Sequence, residues 1–313
     1  MARPKRNPVE VIQTKIFMHN LCDELGIELF GPELSYYFEG TRRASSKWKR
    51  FIAGEKTPSP GTINLILNKI KTQHGSTKLA NNLVELWYSP LWSALFAGQL
   101  GSEYWTEFYK NMPIRFQKHV FEKDAPFGDS FKRRYPRHSE IDAIEKHCDR
   151  EGFAFLIALA RDASANKLGL YVHSLDVAIY RLFFAFCQHR PFRPFCIELW
   201  NYFKKYVVLP DRHTFNLRQI TRWQQPDYSV PETIELDAYY LGIAQKIGLI
   251  STHQQARQFL FYFHINKTEK IIWEMEQYRN NGVGEFPHLS LLVKKLNTLR
   301  KAKERINFLS QLP

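Results

Sequence analysis

Thr41 to Arg50 holds five positive charges and no acid: Arg42, Arg43, Lys47, Lys49 and Arg50. Trp48 and Phe51 interleave with them, and Ser45 and Ser46 add hydroxyls. Guanidinium and ammonium groups neutralise phosphates, and on a helix they can also read guanine edges in a major groove. A second basic group, Lys132, Arg133 and Arg134, lies between Phe131 and Tyr135. Cations alternating with aromatic rings suit a loop that touches phosphates and stacks on bases. These ten positions are the candidate nucleic-acid-binding residues: Arg42, Arg43, Ser45, Ser46, Lys47, Lys49, Arg50, Lys132, Arg133 and Arg134.

The whole chain supports a polyanion partner. Its 313 residues carry a formal net charge of +13, with a pI of about 9.5. That balance favours nucleic acid over neutral partners. Hydrophobic residues make up 44%, enough for a packed core, and aromatic residues 15%, which points to bulky helix packing.

Other chemistries find little support. There is no Gly-rich phosphate loop, His-Glu-x-x-His, Cys-x-x-Cys or Gly-x-Ser-x-Gly, so no enzyme is expected. Cys187, His189 and Cys196 form the best metal-like group, but a fourth ligand at zinc spacing is missing, so neither metal nor cofactor is expected. His173 with Asp176 is an isolated pair, and a solvated helix face explains Asp142, Glu145 and His147. Four scattered cysteines (Cys22, Cys148, Cys187 and Cys196) suggest a reducing compartment. The longest apolar run, Phe153–Ala160, is far short of a bilayer span, so a soluble cytoplasmic protein is expected.

The elements that must position these residues read as helices throughout, an all-α fold with no strand alternation. Residues 1–8 form a basic arm discouraged from helix by Pro4 and Pro8. Helices are expected over Val9–Leu25, Pro32–Phe38, Ser45–Ala53 and Thr62–Thr72, closed by Gly26, Gly40 and Gly54 and opened by proline or serine. Together they form a small helix-turn-helix-like module over 1–75. A helical connection follows over 76–123, holding Thr77–Trp87, Leu91–Ala97, Ser102–Asn111 and Pro113–Glu122. Residues 124–138 make a basic loop or linker, with Pro126, Gly128 and Pro136 as breakers. A larger multi-helix domain fills 139–313: Ser139–Arg150 with Ser139 and Asp142 as a capping box, then Glu151–Ala163, Leu170–His189, Pro194–Val207, Phe215–Trp223, Pro231–Ile247, Thr252–Asn280 and Leu289–Leu309.

On the third helix Trp48, Phe51 and Ile52 share one face, leaving Ser46, Lys47, Lys49 and Arg50 largely on the others. The run from Trp48 through Gly54, Pro58 and Ser59 to Thr62, Ile63 and Ile66 resembles the lambda-repressor-like (Xre-type) helix-turn-helix family. That family commonly reads Ile-Ser-x-Trp-Glu-x-Gly-x-x-x-Pro-Ser-x-x-Thr-Leu-x-x-Ile. The Gly-to-Pro spacing and the Pro-Ser-x-x-Thr-apolar-x-x-Ile frame match. The glutamate expected after the aromatic is Ile52 here, and the preceding turn through Thr41–Ala44 is longer than the family's. The frame covers about a tenth of the chain.

The resemblance implies a recognition segment over Ser45–Arg50, with Trp48 and Phe51 as core anchors. The expected function is a DNA-binding protein, in the manner of a transcriptional regulator. Lys47, Lys49 and Arg50 would read duplex DNA and Arg42 and Arg43 would hold phosphates. The C-terminal domain would supply homodimerisation or partner binding. Two alternatives stand beside it: a helical protein–protein adaptor of a mobile-element or defence system, and an RNA-binding protein using the Phe127–His138 loop and the basic C-terminal helix Leu289–Leu309.

Overall fold

The computed structural model describes residues 6–41, 46–96, 100–122, 132–145, 149–208, 229–246, 250–252 and 255–256. The described chain is all-α. It contains no strand, only an isolated antiparallel bridge between Phe121 and Arg133.

Short punctuated helices open the chain: α1 (Pro8–Leu25), α2 (Gly31–Glu39), α3 (Ser46–Ile52), α4 (Pro60–His74), α5 (Thr77–Trp87) and α6 (Pro90–Leu95). Their ends follow local chemistry. Asn7, Ser59 and Ser76 accept the first free amides of α1, α4 and α5, from Val9, Thr62 and Leu79, each at 3.2 Å. Proline stands in the first turn of α1, α2, α4 and α6, where its missing N–H leaves no bond unmade.

Five of these helices close around one small core. Phe17, Met18 and Leu21 of α1 meet Leu34 and Phe38 of α2, Trp48 and Phe51 of α3, Ile63, Ile66 and Ile70 of α4, and Leu83 and Trp87 of α5. Trp48 stacks on Phe38 with ring centroids 5.1 Å apart and meets Phe51 edge-on at 5.8 Å. The core therefore runs past residue 75, because α5 seals it with Leu83 and Trp87.

The second core is larger. It is built from α7 (Ser102–Lys110), α8 (Ile114–Val120), α9 (His138–Glu145), α10 (Arg150–Ala165), α11 (Gly169–Cys187), α12 (Cys196–Phe203) and α13 (Ser229–Lys246), together with α6. Every residue from Phe153 to Ala160 is buried, so α10 is apolar on all sides and runs through the middle. The aromatic residues of α7 turn inward, with Trp105, Phe108 and Tyr109 buried and Tyr104 half-buried. The Arg161 side chain of α10 caps the end of α6, donating to the carbonyls of Ala94 at 2.8 Å and Phe96.

Helix α1 belongs to both cores. Val9, Ile12 and Ile16 pack into the large one, and Phe17, Met18, Leu21 and Cys22 into the small one. Lys15 bridges to Glu198 of α12 at 2.9 Å, and Asp23 meets Arg190 at 3.3 Å.

Some local expectations are corrected. Helix α9 begins at His138, with Ser139 inside its first turn. The reciprocal cap is made by Glu140, which accepts the Arg137 amide at 2.8 Å while the Arg137 carbonyl accepts the Glu140 amide at 2.9 Å. Glu145 is buried, not on a solvated face. The single helix expected over Pro194–Val207 is divided into a 3₁₀ turn (Arg193–Phe195), α12 and a π-helical turn (Lys204–Val208). The helices expected over Phe215–Trp223 and Leu289–Leu309, and nearly all of Thr252–Asn280, lie outside the described residues.

Candidate nucleic-acid interface

Helix α3 is short, and the core beneath fixes its orientation. Trp48 and Phe51 are at most 1% exposed, while Ser46 and Lys49 are exposed and Lys47 and Arg50 half-buried. Burying both rings places Lys49 on the opposite side by helical geometry alone. The first turn of α2 holds the backbone from the side: a Cβ at Gly31 would stand 3.3 Å from the Lys49 amide nitrogen.

The turn after α3 is built on Gly54. Its φ of +69° is a left-handed conformation, the expected helix stop. It also touches α1, since a Cβ there would lie 2.8 Å from Val11 Cγ1 and 3.2 Å from the Val11 carbonyl oxygen. Only glycine satisfies both demands. Arg6, expected in a free basic arm, instead donates to the Gly54 carbonyl and the Thr57 hydroxyl, while residues 1–5 lie outside the described chain.

The three described cations of α3 differ in surroundings. Lys47 Nζ lies 3.2 Å from Glu39 Oε1 and 4.9 Å from the centre of the Trp48 ring. Arg50 Nε stands 3.8 Å from Glu55. Lys49 makes no ion pair with any described residue. Partial burial pushes the Glu39 carboxyl up, but the Ser35 hydroxyl and the Lys47 ammonium outweigh it and hold the group below its ordinary range. Arg42, Arg43 and Ser45 lie outside the described residues.

The second basic group is used differently. Arg133 points into the large core. It pairs with Asp162, donates to the Ser102 carbonyl and hydroxyl at 3.0 Å and to Thr106 Oγ1 at 3.1 Å, and lies over the Tyr109 ring. Asp162 is fully buried and also accepts from Tyr109 at 3.3 Å and Asn166 at 3.2 Å. Burial raises its carboxyl above the ordinary value, against the pull of Arg133. Arg134 grips Glu140 through both guanidinium nitrogens, at 2.7 and 2.8 Å, and donates to the Lys118 carbonyl at 3.1 Å. Lys132 stays largely exposed, 2.9 Å from Glu122. Arg133 and Arg134 thus stitch this segment to α7, α9 and α10, a role the basic-loop reading did not include. A cavity of about 630 Å³, lined by Phe121, Arg134, Tyr135, Arg137 and Glu140, opens beside it.

Among the described residues no group of three metal-ligating side chains comes together, and no helix is long and apolar enough to cross a membrane. Cys22, Cys187 and Cys196 are buried free thiols. Burial pushes Cys22 to about 12, with Asp23 adding to the shift. The residues that sequence reasoning missed are Glu39, on Lys47, and Gly31, against the Lys49 backbone. Glu39 carried a signal: it is the acid nearest before the basic run, at the end of a helix whose next residue is Gly40.

No protein family, curated protein or solved structure matches this chain.

Proposed function

We propose that this protein binds duplex DNA through α3, in the manner of a helix-turn-helix regulator, with the small core as the platform of that helix. The supporting observation is the division of α3 into a locked face and an open one. Trp48 and Phe51 are sealed in the core while Lys49 and Ser46 face outward. A helix anchored this way has little backbone freedom left to lose on binding. Lys47 and Arg50 flank Lys49 on either side in sequence, and Arg42 and Arg43 supply phosphate contacts. The net charge of +13 adds long-range attraction. The larger helical domain serves dimerisation or partner binding.

The test is binding of the full chain to duplex DNA over a salt series. Affinity falls steeply with salt, by about 0.9 in the logarithmic slope per neutralised phosphate. Replacing Lys47, Lys49 and Arg50 together by alanine removes sequence preference and leaves the fold intact. Undiminished binding by that triple variant refutes the assignment, and absence of binding to any nucleic acid at low salt points to the adaptor reading.

A further inference from the structure

We infer that Glu39 is a built-in competitor of DNA for Lys47, limiting the protein's affinity for duplexes in general. The inference rests on the DNA-binding reading of α3. Glu39 closes α2, and its carboxylate sits on the Lys47 ammonium at 3.2 Å. It is not a loose surface acid. Ser35, one turn earlier, donates its hydroxyl to the other carboxylate oxygen at 2.9 Å, and the Glu39 side chain is only 29% exposed. Lys47 is held as well, since its ammonium lies near the Trp48 ring, which is itself fully buried. The pair is therefore fixed from both ends.

A phosphate that approaches Lys47 also approaches this carboxylate, which stands 3.2 Å from the ammonium. Either Lys47 releases Glu39, or two anions share one cation at close range. Both alternatives oppose binding wherever the chain lands, whatever the base sequence. Because the opposition is the same at every site, the acid lowers specific and non-specific affinity alike and sets the overall strength of duplex binding. Arg50 faces a looser version of the same arrangement, 3.8 Å from the more exposed Glu55. Lys49, with no acid partner among the described residues, is the cation left for first contact.

The experiment measures binding of the full chain to a random-sequence duplex across about 50 to 200 mM salt, the range in which phosphate contacts dominate. The proteins are the wild type, Glu39→Gln, Lys47→Gln, the double variant and Lys49→Gln, each checked for helix content and melting temperature. Glu39→Gln keeps a side chain that accepts from Ser35 and frees Lys47. It binds about three- to tenfold tighter at low salt, with a slope steeper by about one phosphate equivalent. Lys47→Gln leaves the carboxylate bare and weakens binding more than Lys49→Gln does. The double variant returns close to wild type. Unchanged or weaker binding by Glu39→Gln overturns the inference, as does a Lys47→Gln loss no greater than that of Lys49→Gln. If Lys49→Gln and Lys47→Gln both leave binding intact, it is the DNA-binding role of α3 that fails.

Discussion

Two segments of this chain look alike in sequence and do opposite things. Lys47 to Arg50 and Lys132 to Arg134 are both dense in positive charge and both interleaved with aromatic residues. In α3 the aromatics go inward while Lys49 between them goes out and Arg50 stays half-buried. In the second segment Arg133 goes inward, to an aspartate that is fully buried, and Arg134 closes on Glu140. The difference lies in where the acids are. Asp162 follows Arg133 by 29 residues, on α10, and no local pattern announces it. A basic run thus acquires a function only after its counter-ions are placed in space.

The contrast can be broken most forcefully at Arg133. Arg133→Ala leaves Asp162 buried without its cation and lowers unfolding free energy by about 3–5 kcal/mol, read by denaturant titration. Adding Asp162→Asn recovers part of the loss, because the uncompensated charge is gone. A stable Arg133→Ala protein would mean that the segment is not pinned to the large core.

Gly54→Ala tests the other region. A left-handed alanine pressed against Val11 costs about 2–4 kcal/mol, lowering the melting temperature and loosening α3 on α1. Glu140→Gln has a smaller effect, about 1 kcal/mol at neutral pH, since water still reaches the pair. Its sign with pH is fixed. The Arg134 guanidinium holds the Glu140 carboxyl well below its ordinary value of 4.5, so the stabilisation is fully present above 4.5 and fades as pH falls toward the lowered value. Wild type and Glu140→Gln therefore converge in stability in strong acid, and divergence there would contradict the pairing. Smallest of all in stability is Lys49→Ala, within about 0.5 kcal/mol, although it lowers duplex affinity about tenfold.

Much of the fold was legible. Glycines mark the stops of α1 to α4 with local chemistry, and Thr77–Trp87 matches α5 residue for residue. Trp48 and Phe51 announced their burial by helical spacing. What was hidden is non-local. The contact between Gly54 and Val11 joins positions 43 residues apart, so only the left-handed half of the glycine's role could be read. Arg6 looked like part of a loose arm because its acceptors, Gly54 and Thr57, lie on the far side of the small core in sequence. The continuation of that core into α5 was hidden for the same reason: Leu83 and Trp87 read as a helix face without naming what the face covers.

The most direct test of the outward and inward use of the two basic segments needs no substitution. Lysines of the full-length protein are acetylated in the absence and presence of a duplex, and the rate at each site is read by mass spectrometry. Lys49 and Lys132 are both exposed and both react in the free protein. With the duplex present, Lys49 and Lys47 become protected and Lys132 keeps its rate. Protection of Lys132 while Lys49 continues to react would contradict the account.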